Sequence, residues 1–533
     1  MKKHLSIAAN AGLALSLIGI GFGNVAQAQT PKPSGIDRIE TVVVIYAENR
    51  SFDSLYGHFP GANGLQHLTP AQYLQRDRDG SVLKALPPIW TGLTAIGVTP
   101  PVTEAETKGL PNKPFAIDDP KGFNQGLGTV TRDLWHKFYQ NQMQIDGGKN
   151  DMFAAFADSG GLVMGHFDSS PTKLPLWSVA RRYVLADNFF MAAFGGSFLN
   201  HFWLVCACTP IYPDADQDPV KDRIKDLISE DENHHTALTL APNSPKSAID
   251  GVPKFVRDGT IAKILDESDV PPGYYAINTM QPPYQPSGVK PAKGGDPGLA
   301  DPNDPSVLPP QTMQTIGDLL STKGVSWAWY SGAWQAALEN HNGFAAPDFQ
   351  THHQPFNYFA DMAPLSDARK EHIRDGGLDG VHFIEAIDGG TLPAVTFYKP
   401  QGSLNEHPGY TNSLAGDAHI ADVVKHLEKS KQWPHMLVVI TFDENGGQWD
   451  HVAPPKGDRW GPGSRIPAII VSPFAKRGYV DHTQYDTDSI LRFITERFDL
   501  PVLSGLAARD AALKAHGAPA MGDLTNALNL AGK

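Results

Sequence analysis

Cysteine is nearly absent: two thiols occur in 533 residues, Cys206 and Cys208, with one residue between them. No disulfide framework can therefore tie distant parts of the chain together, and any bridge is expected to be local and strained. Positive charge is also short, with 44 Lys and Arg against 57 Asp and Glu and a formal net charge of −13. That balance gives no general attraction to phosphate backbones or anionic lipid, so nonspecific nucleic-acid binding is not expected. Beyond the first 28 residues the chain lacks a second apolar run of the roughly 18 residues that a membrane helix needs. Internal repeats and blocks of like charge are absent too, which argues against a solenoid or a charged tail. What is there, 41% hydrophobic and 19% charged residues, is the composition of a globular protein with a large core.

The N-terminus has the pattern of a secretory signal. Lys2 and Lys3 precede a largely apolar stretch from Leu5 to Phe22, and Ala26, Gln27 and Ala28 supply an A-x-A site. Cleavage after Ala28 is expected, giving a signal peptide over 1–28, one catalytic domain over 29–533 and a periplasmic or secreted product with no stable membrane span. An uncleaved anchor is the competing reading; Gly and Ser interruptions and the small-residue site disfavour it. The two lysines are not an arginine pair, so the twin-arginine route is unsupported.

Short apolar runs rich in β-branched residues predict strands buried on both faces at Thr41 to Tyr46, Leu437 to Phe442 and Ile466 to Ser472. Weaker candidates lie at Tyr183 to Ala186, Trp327 to Tyr330 and Val395 to Tyr398. Helical spacing joins Ile420, Val423, Val424 and Leu427, and again Ile490, Leu491, Ile494 and Phe498. Strands alternating with helices predict an α/β fold, a mainly parallel central sheet with helices on both faces. The 51 glycines and 44 prolines concentrate in long insertions around 58–128 and 270–311. The stretch from Pro282 to Pro310 cannot form regular structure, because proline fixes φ and removes backbone donors. It reads as loops wrapping one core, with an interdomain linker as the alternative.

Ligands of open parallel sheets bind beyond the carboxyl ends of the strands. Two candidate strands run directly into oxygen-rich pairs: Tyr46 leads to Glu48 and Asn49, and Phe442 leads to Asp443 and Glu444. Taken singly these are ordinary turn residues. Taken together they put three negative charges and an amide in one place, which is strongly repulsive unless a cation sits among them. A nucleophile candidate, Ser197, stands in Gly195-Gly196-Ser197-Phe198-Leu199-Asn200-His201, ahead of a helix expected to start near Leu199. Its glycines would let backbone amides approach an anion. The match to G-x-S-x-G is only half complete, since Leu199 replaces the last glycine. His136, His352, His353, His407 and His451 are candidate donors to an anionic substrate, which a chain of this charge must supply locally; each alone is more ordinarily structural.

With these residues in place, the chain resembles the bacterial phosphoesterase family that contains the respiratory-burst-inhibiting acid phosphatases and the secreted phospholipases C. The resemblance rests on AENRSFDSLYGHFPGANG (47–64), HKFYQNQMQIDGGKNDMF (136–153), GGSFLNH (195–201), HHQPFNYF (352–359), NEHPGY (405–410), FDENGGQWDHVAPP (442–455) and the segment 465–494. It implies an alkaline-phosphatase/sulfatase-like fold, one divalent metal ion and a serine phosphorylated in turnover. Position by position it implies Glu48, Asn49, Asp443 and Glu444 as metal ligands, with Ser197 as the nucleophile that also touches the metal. His136, His352, His353 and His407 are similar to histidines around the phosphoryl oxygens, His353 or His407 being the expected leaving-group acid; Asp450 and His451 match a motif without a clear route to substrate. Phospholipases of the family that hydrolyse phosphatidylcholine carry further β-rich domains, whereas this sequence ends about 35 residues after its last strong helical pattern. The expectation is therefore an acid phosphatase acting on phosphomonoesters, with a phospholipase C acting on phospholipid headgroups as the alternative. A serine carboxylesterase leaves the oxygen cluster unexplained, and a noncatalytic metal- or phosphate-binding protein predicts binding without turnover. The ion's identity stays open, since hard oxygens suit calcium, magnesium or manganese and the histidines admit zinc or iron.

Overall fold

The computed structural model describes residues 35–77, 80–212, 275–340 and 349–530, with four short strands between residues 229 and 263. The expected signal peptide lies outside the described residues. The central sheet contains β1 (Thr41–Ala47), β2 (Val184–Ala186), β3 (Trp327–Gly332), β4 (Ile373–Gly377), β5 (Val395–Lys399), β6 (Met436–Phe442), β7 (Ala468–Val471) and β8 (Tyr479–Asp481). Across the sheet their order is β4-β3-β5-β1-β6-β7-β2-β8. Only β7 runs against its neighbours; every other pairing is parallel.

The middle of the sheet follows from sequence. β1 reads TVVVIYA and β6 reads MLVVITF, and every residue of both is buried, as branched side chains covered on two faces require. β7 is shorter than the apolar run that announces it, because Pro467 has no N–H to give a ladder. The two edge strands carry no apolar run at all: β4 reads IRDGG and β8 reads YVD. Being half solvated, an edge needs no such run.

The helices include α1 (Phe52–Tyr56), α2 (Phe138–Ile145), α3 (Ser197–Cys206), α4 (Ser413–Lys429) and α5 (Asp488–Arg497). On α4, Ile420, Val423, Val424 and Leu427 are all buried, and Asn412 caps the helix by accepting from the Ala415 amide. Ile490, Leu491 and Ile494 are buried on α5, while Phe498 stands just past its end. Tyr398 of β5 is aligned with Ile45 of β1, so Tyr46 points to the opposite face. The Tyr398 hydroxyl meets His419 of α4 at 2.8 Å, and that of Tyr46 donates to the Asn200 carbonyl of α3 at 3.1 Å. Helices α3 and α4 therefore cover opposite faces of the sheet.

Segment 282–310 contains no helix or strand, only isolated bridges such as Tyr284 with Leu299. The insertions still contribute to the main hydrophobic cluster, through Ile89, Leu93, Val102 and Ile117 on one side and Ile277, Met280 and Leu308 on the other. Cys206 and Cys208 form a disulfide at the end of α3, with Cα atoms 5.1 Å apart. Among the described residues no helix is long and apolar enough to cross a membrane.

Candidate active site

Strands β5, β1 and β6 are adjacent and parallel, so their carboxyl ends open side by side. Register does the rest: Ala47 is aligned with Phe442, which sets Glu48 beside Asp443. All four oxygen-bearing residues singled out from sequence, Glu48, Asn49, Asp443 and Glu444, are fully buried here. Asn49 sits at a positive φ of 57°, which asparagine tolerates better than most residues. Its backbone amide and that of Glu444 both donate to Asp443 Oδ1, at 3.1 and 2.8 Å. Glu444 accepts from the Gly446 amide through Oε2 and turns Oε1 toward His136 Nε2, 3.4 Å away. Gly446 is required, since a Cβ there would lie 2.7 Å from the Asn49 carbonyl and its φ is 62°.

Ser197 is the first residue of α3, two positions earlier than the sequence pattern suggests, with Gly196 as its cap. Its hydroxyl reaches Asn49 Oδ1 at 3.4 Å, which turns it toward the carboxylates. Gly195 (φ 90°) lets this turn pass over the start of α2, where a Cβ would meet the Phe138 amide nitrogen at 2.6 Å. The free amides of the α3 N-terminus surround the serine and favour negative charge there.

A cavity of about 660 Å³ opens onto Ser197, and His136, His352 and His407 are among its lining residues, together with Trp135 and Tyr410. Asn49 Nδ2 lies 2.9 Å from His407 Nε2, while the other ring nitrogen faces the Pro408 carbonyl. His353 is placed differently: it is 2% exposed, does not line the cavity, and packs its Nε2 against Glu48 Oε1. Asp450 and His451 also stand apart. They form a buried ionic cluster with Asp53 and Arg465, in which Arg465 bonds Asp450 at 2.9 Å and Asp53 at 3.0 Å and His451 meets Asp53 at 2.6 Å. That cluster fastens the start of α1 to the loop between β6 and β7.

Two residues of the site were not read from the sequence. Lys399 ends β5, is fully buried, and places Nζ against Glu48 Oε1 and 4.0 Å from Asp443 Oδ2. Its signal was a lysine closing the apolar strand VTFYK. His201 lies one helical turn after Ser197, donates from Nδ1 to the Ser197 carbonyl at 2.7 Å, and stacks on His353. The i, i+4 spacing within GGSFLNH was visible in the sequence.

Burial and the charge of Glu48 push the Asp443 carboxyl up to about 7, and burial with Asp443 raises Glu444 further from its ordinary range. Glu48 goes the other way: burial opposes its ionisation, but His353 and Lys399 hold it well below the usual carboxylate range. Burial lowers His353 to about 4, and Lys399 Nζ is the other group against Glu48 Oε1. Replacing Lys399 by Met is expected to cost about 3–5 kcal/mol of stability, the usual effect of leaving a buried charge unpaired. Denaturant titration checks this; a variant as stable as the parent would mean that Glu48 has another counter-charge.

One lysine does not balance three buried carboxylates. Glu48 Oε1 is held by Lys399 and His353, whereas Asp443 Oδ2, Glu444 Oε1 and Glu48 Oε2 accept no hydrogen bond, and unsatisfied buried acceptors are costly. Ligand atoms of Glu48, His201 and Asp443 converge within 4.8 Å of one another, with Asn49 Oδ1 and the Ser197 hydroxyl adjoining. This donor set fits a divalent cation.

A mainly parallel sheet whose central strands end in carboxylates, facing a serine at a helix N-terminus, is an arrangement suited to phosphoryl chemistry on an α/β scaffold. The family model described as Phosphoesterase family matches residues 39–501, and the chain belongs to that family. Over 564 aligned residues it is 22% identical to Phospholipase C B of Mycobacterium tuberculosis, covering 98% of this chain and 84% of that protein. It is 28% identical to the non-hemolytic phospholipase C of Pseudomonas aeruginosa over 173 residues, 26% of this chain and 24% of that one. Among solved structures, a protein in the alkaline phosphatase superfamily from Vibrio parahaemolyticus matches 37% of this chain and 50% of its own, at 14% identity and a TM-score of 0.23. The fold class rests on the sheet order and packing described above.

Proposed function

We propose that this chain is a secreted, metal-dependent phosphodiesterase of the phospholipase C type that works through a phosphoserine, with residues 29–533 as one catalytic domain. The observation that carries the chemistry is the placement of Ser197, lining the cavity with its hydroxyl turned toward Asn49 and a cluster of three carboxylates beside a single lysine. The names of the relatives put the diester reading ahead of the acid-phosphatase reading expected from sequence. Phosphomonoester hydrolysis is the second reading, supported by the three histidines that line the cavity and suit a more highly charged phosphoryl group.

Glu48, Asn49, Asp443, Glu444 and the Ser197 hydroxyl would hold one divalent ion, with His201 in reach. When bound, it neutralises phosphoryl charge and makes the Ser197 hydroxyl more acidic. Ser197 Oγ would then attack phosphorus in line, giving its O–H proton to solvent in the open cavity, while the ester P–O bond breaks toward the leaving alkoxide and a phosphoserine forms. The amides at the start of α3 hold the equatorial oxygens. Lys399 keeps Glu48 ionised and in place. His407 protonates the leaving alkoxide once its Nε2 exchanges the Asn49 amide for a proton from solvent, and water hydrolyses the phosphoserine with the roles reversed.

The test is a substrate panel with and without chelator: phosphatidylcholine vesicles and a bis-nitrophenyl diester against nitrophenyl and alkyl monoesters. Chelator-sensitive turnover with the diesters in the lead supports the proposal; monoesters in the lead favour the acid phosphatase. Turnover of carboxylic esters alone, or stoichiometric binding without turnover, would remove phosphoryl transfer altogether.

The two histidines first considered as acids separate in this geometry. His407→Ala is expected to slow alkyl phosphates about 10²-fold or more while sparing nitrophenyl phosphate, whose leaving group needs no proton. His353→Ala acts through Glu48 and is expected to slow both equally. Equal losses in His407→Ala would make that residue an oxygen-binding group instead.

A further inference from the structure

Three ligand-type side chains stand together outside the catalytic cavity: His58, His166 and Asp168. His58 lies two residues past α1, and His166 ends the two-residue strand Gly165–His166, which pairs in parallel with Phe115–Ala116. None of the three lines the cavity that opens onto Ser197. Nε2 of His58 and Nε2 of His166 approach the same oxygen, Asp168 Oδ1, at 2.8 and 3.0 Å. The three ligand atoms lie within 4.8 Å of one another.

Two imidazoles converge on one carboxylate oxygen, an arrangement that an ion could share with them. His58 Nε2, out of reach of solvent, faces Asp168 Oδ1 at 2.8 Å; this contact holds the imidazole above its usual pKa, and His166 and His58 together hold Asp168 well below the carboxylate range. The frame is built independently of the two imidazoles. Asp118 accepts from the Asp168 and Ser169 amides at 2.9 and 2.8 Å, the Ile117 amide donates to the His166 carbonyl at 2.8 Å, and Phe167 donates to the Ser54 carbonyl at 3.0 Å. His166 and Asp168 are thus carried on backbone that is already fixed, and Asp168, 56% exposed, leaves one side open to solvent.

We propose that His58, His166 and Asp168 form a second metal site, which takes a borderline transition ion such as Zn²⁺ through two imidazole nitrogens and one carboxylate oxygen, with solvent in the fourth position. Zinc bonds of about 2.0–2.2 Å in a tetrahedron place neighbouring ligands about 3.3 Å apart, a few tenths of an ångström from the separations to Asp168. Two nitrogens and one oxygen favour this ion over calcium or magnesium, whereas the oxygen-rich cluster at Glu48 and Asp443 has the opposite bias. The site would clip the loop after α1 to the 165–169 turn. Its role is then to stabilise the β1–α1 region, and it does not depend on the substrate.

The experiment uses the full chain, stripped by chelator, re-equilibrated with Zn²⁺, freed of excess ion and analysed for metal per protein. The unsubstituted protein is expected to carry one equivalent more than His58→Ala and one more than Asp168→Asn, with phosphoesterase activity unchanged in both variants. Cobalt substitution gives a second readout: a tetrahedral visible absorption present in the parent and lost in His58→Ala. Equal metal content in the parent and both variants overturns the site and leaves a carboxylate flanked by two imidazoles. Simultaneous loss of both equivalents and of activity in the partly exposed His58→Ala also overturns it, because the cluster would then serve the catalytic centre.

Discussion

Ser197→Ala is expected to lower turnover by about 10³-fold or more, the scale of losing a covalent step, while metal stays at least partly bound and the fold is unchanged. The hydroxyl is the only group removed, and its hydrogen bond to Asn49 is long, at 3.4 Å. The carboxylates keep their own backbone donors from Asn49, Glu444 and Gly446. Enzyme quenched in acid during turnover should carry phosphate on the peptide containing Ser197, because phosphoserine survives acid and phosphohistidine does not. Retained activity in the variant, or an acid-stable phosphate elsewhere, would falsify the serine mechanism and leave direct attack by water as the better account.

Asp443→Asn is expected to lose metal and activity together. Asp443 Oδ1 is already committed to two backbone amides, so Oδ2 is the oxygen free to meet an ion. The amide replacement keeps the shape and removes the charge, which separates electrostatics from packing. Stability of the metal-free protein should fall little or even rise, since the variant relieves repulsion from Glu48 and Glu444. Elemental analysis beside activity decides the matter: full metal content with undiminished turnover would place the ion away from Asp443.

The middle of the sheet was legible because burial on both faces leaves one chemical solution, a run of branched apolar residues, and TVVVIYA and MLVVITF are such runs. The edges were not, since IRDGG and YVD answer to turns and solvent as much as to pairing. Four candidate ligands were legible for the same reason as the strands: each follows directly from a strand end. Lys399 stands at a strand end too, but a lysine normally signals a solvated surface. Only the neighbouring carboxylates make its burial tolerable.

The sequence alone determines the period of the strands, the amphipathic face of α4, the glycines that permit the turn before Ser197, and which residue types are available for phosphoryl chemistry. These are local properties, set by sterics and by solvent exposure along a few residues. Which histidine meets which oxygen is a different matter. His352 and His353 are adjacent in sequence, yet the first lines the cavity and the second sits on Glu48, because successive side chains of one 3₁₀ turn point in different directions. The charge state of Glu48, the separate ionic cluster of Asp450 and His451, and the meeting of His58 with His166 arise only when segments far apart in the chain are packed together. Tertiary structure decides them, since electrostatic energies depend on distances and burial that no stretch of sequence contains.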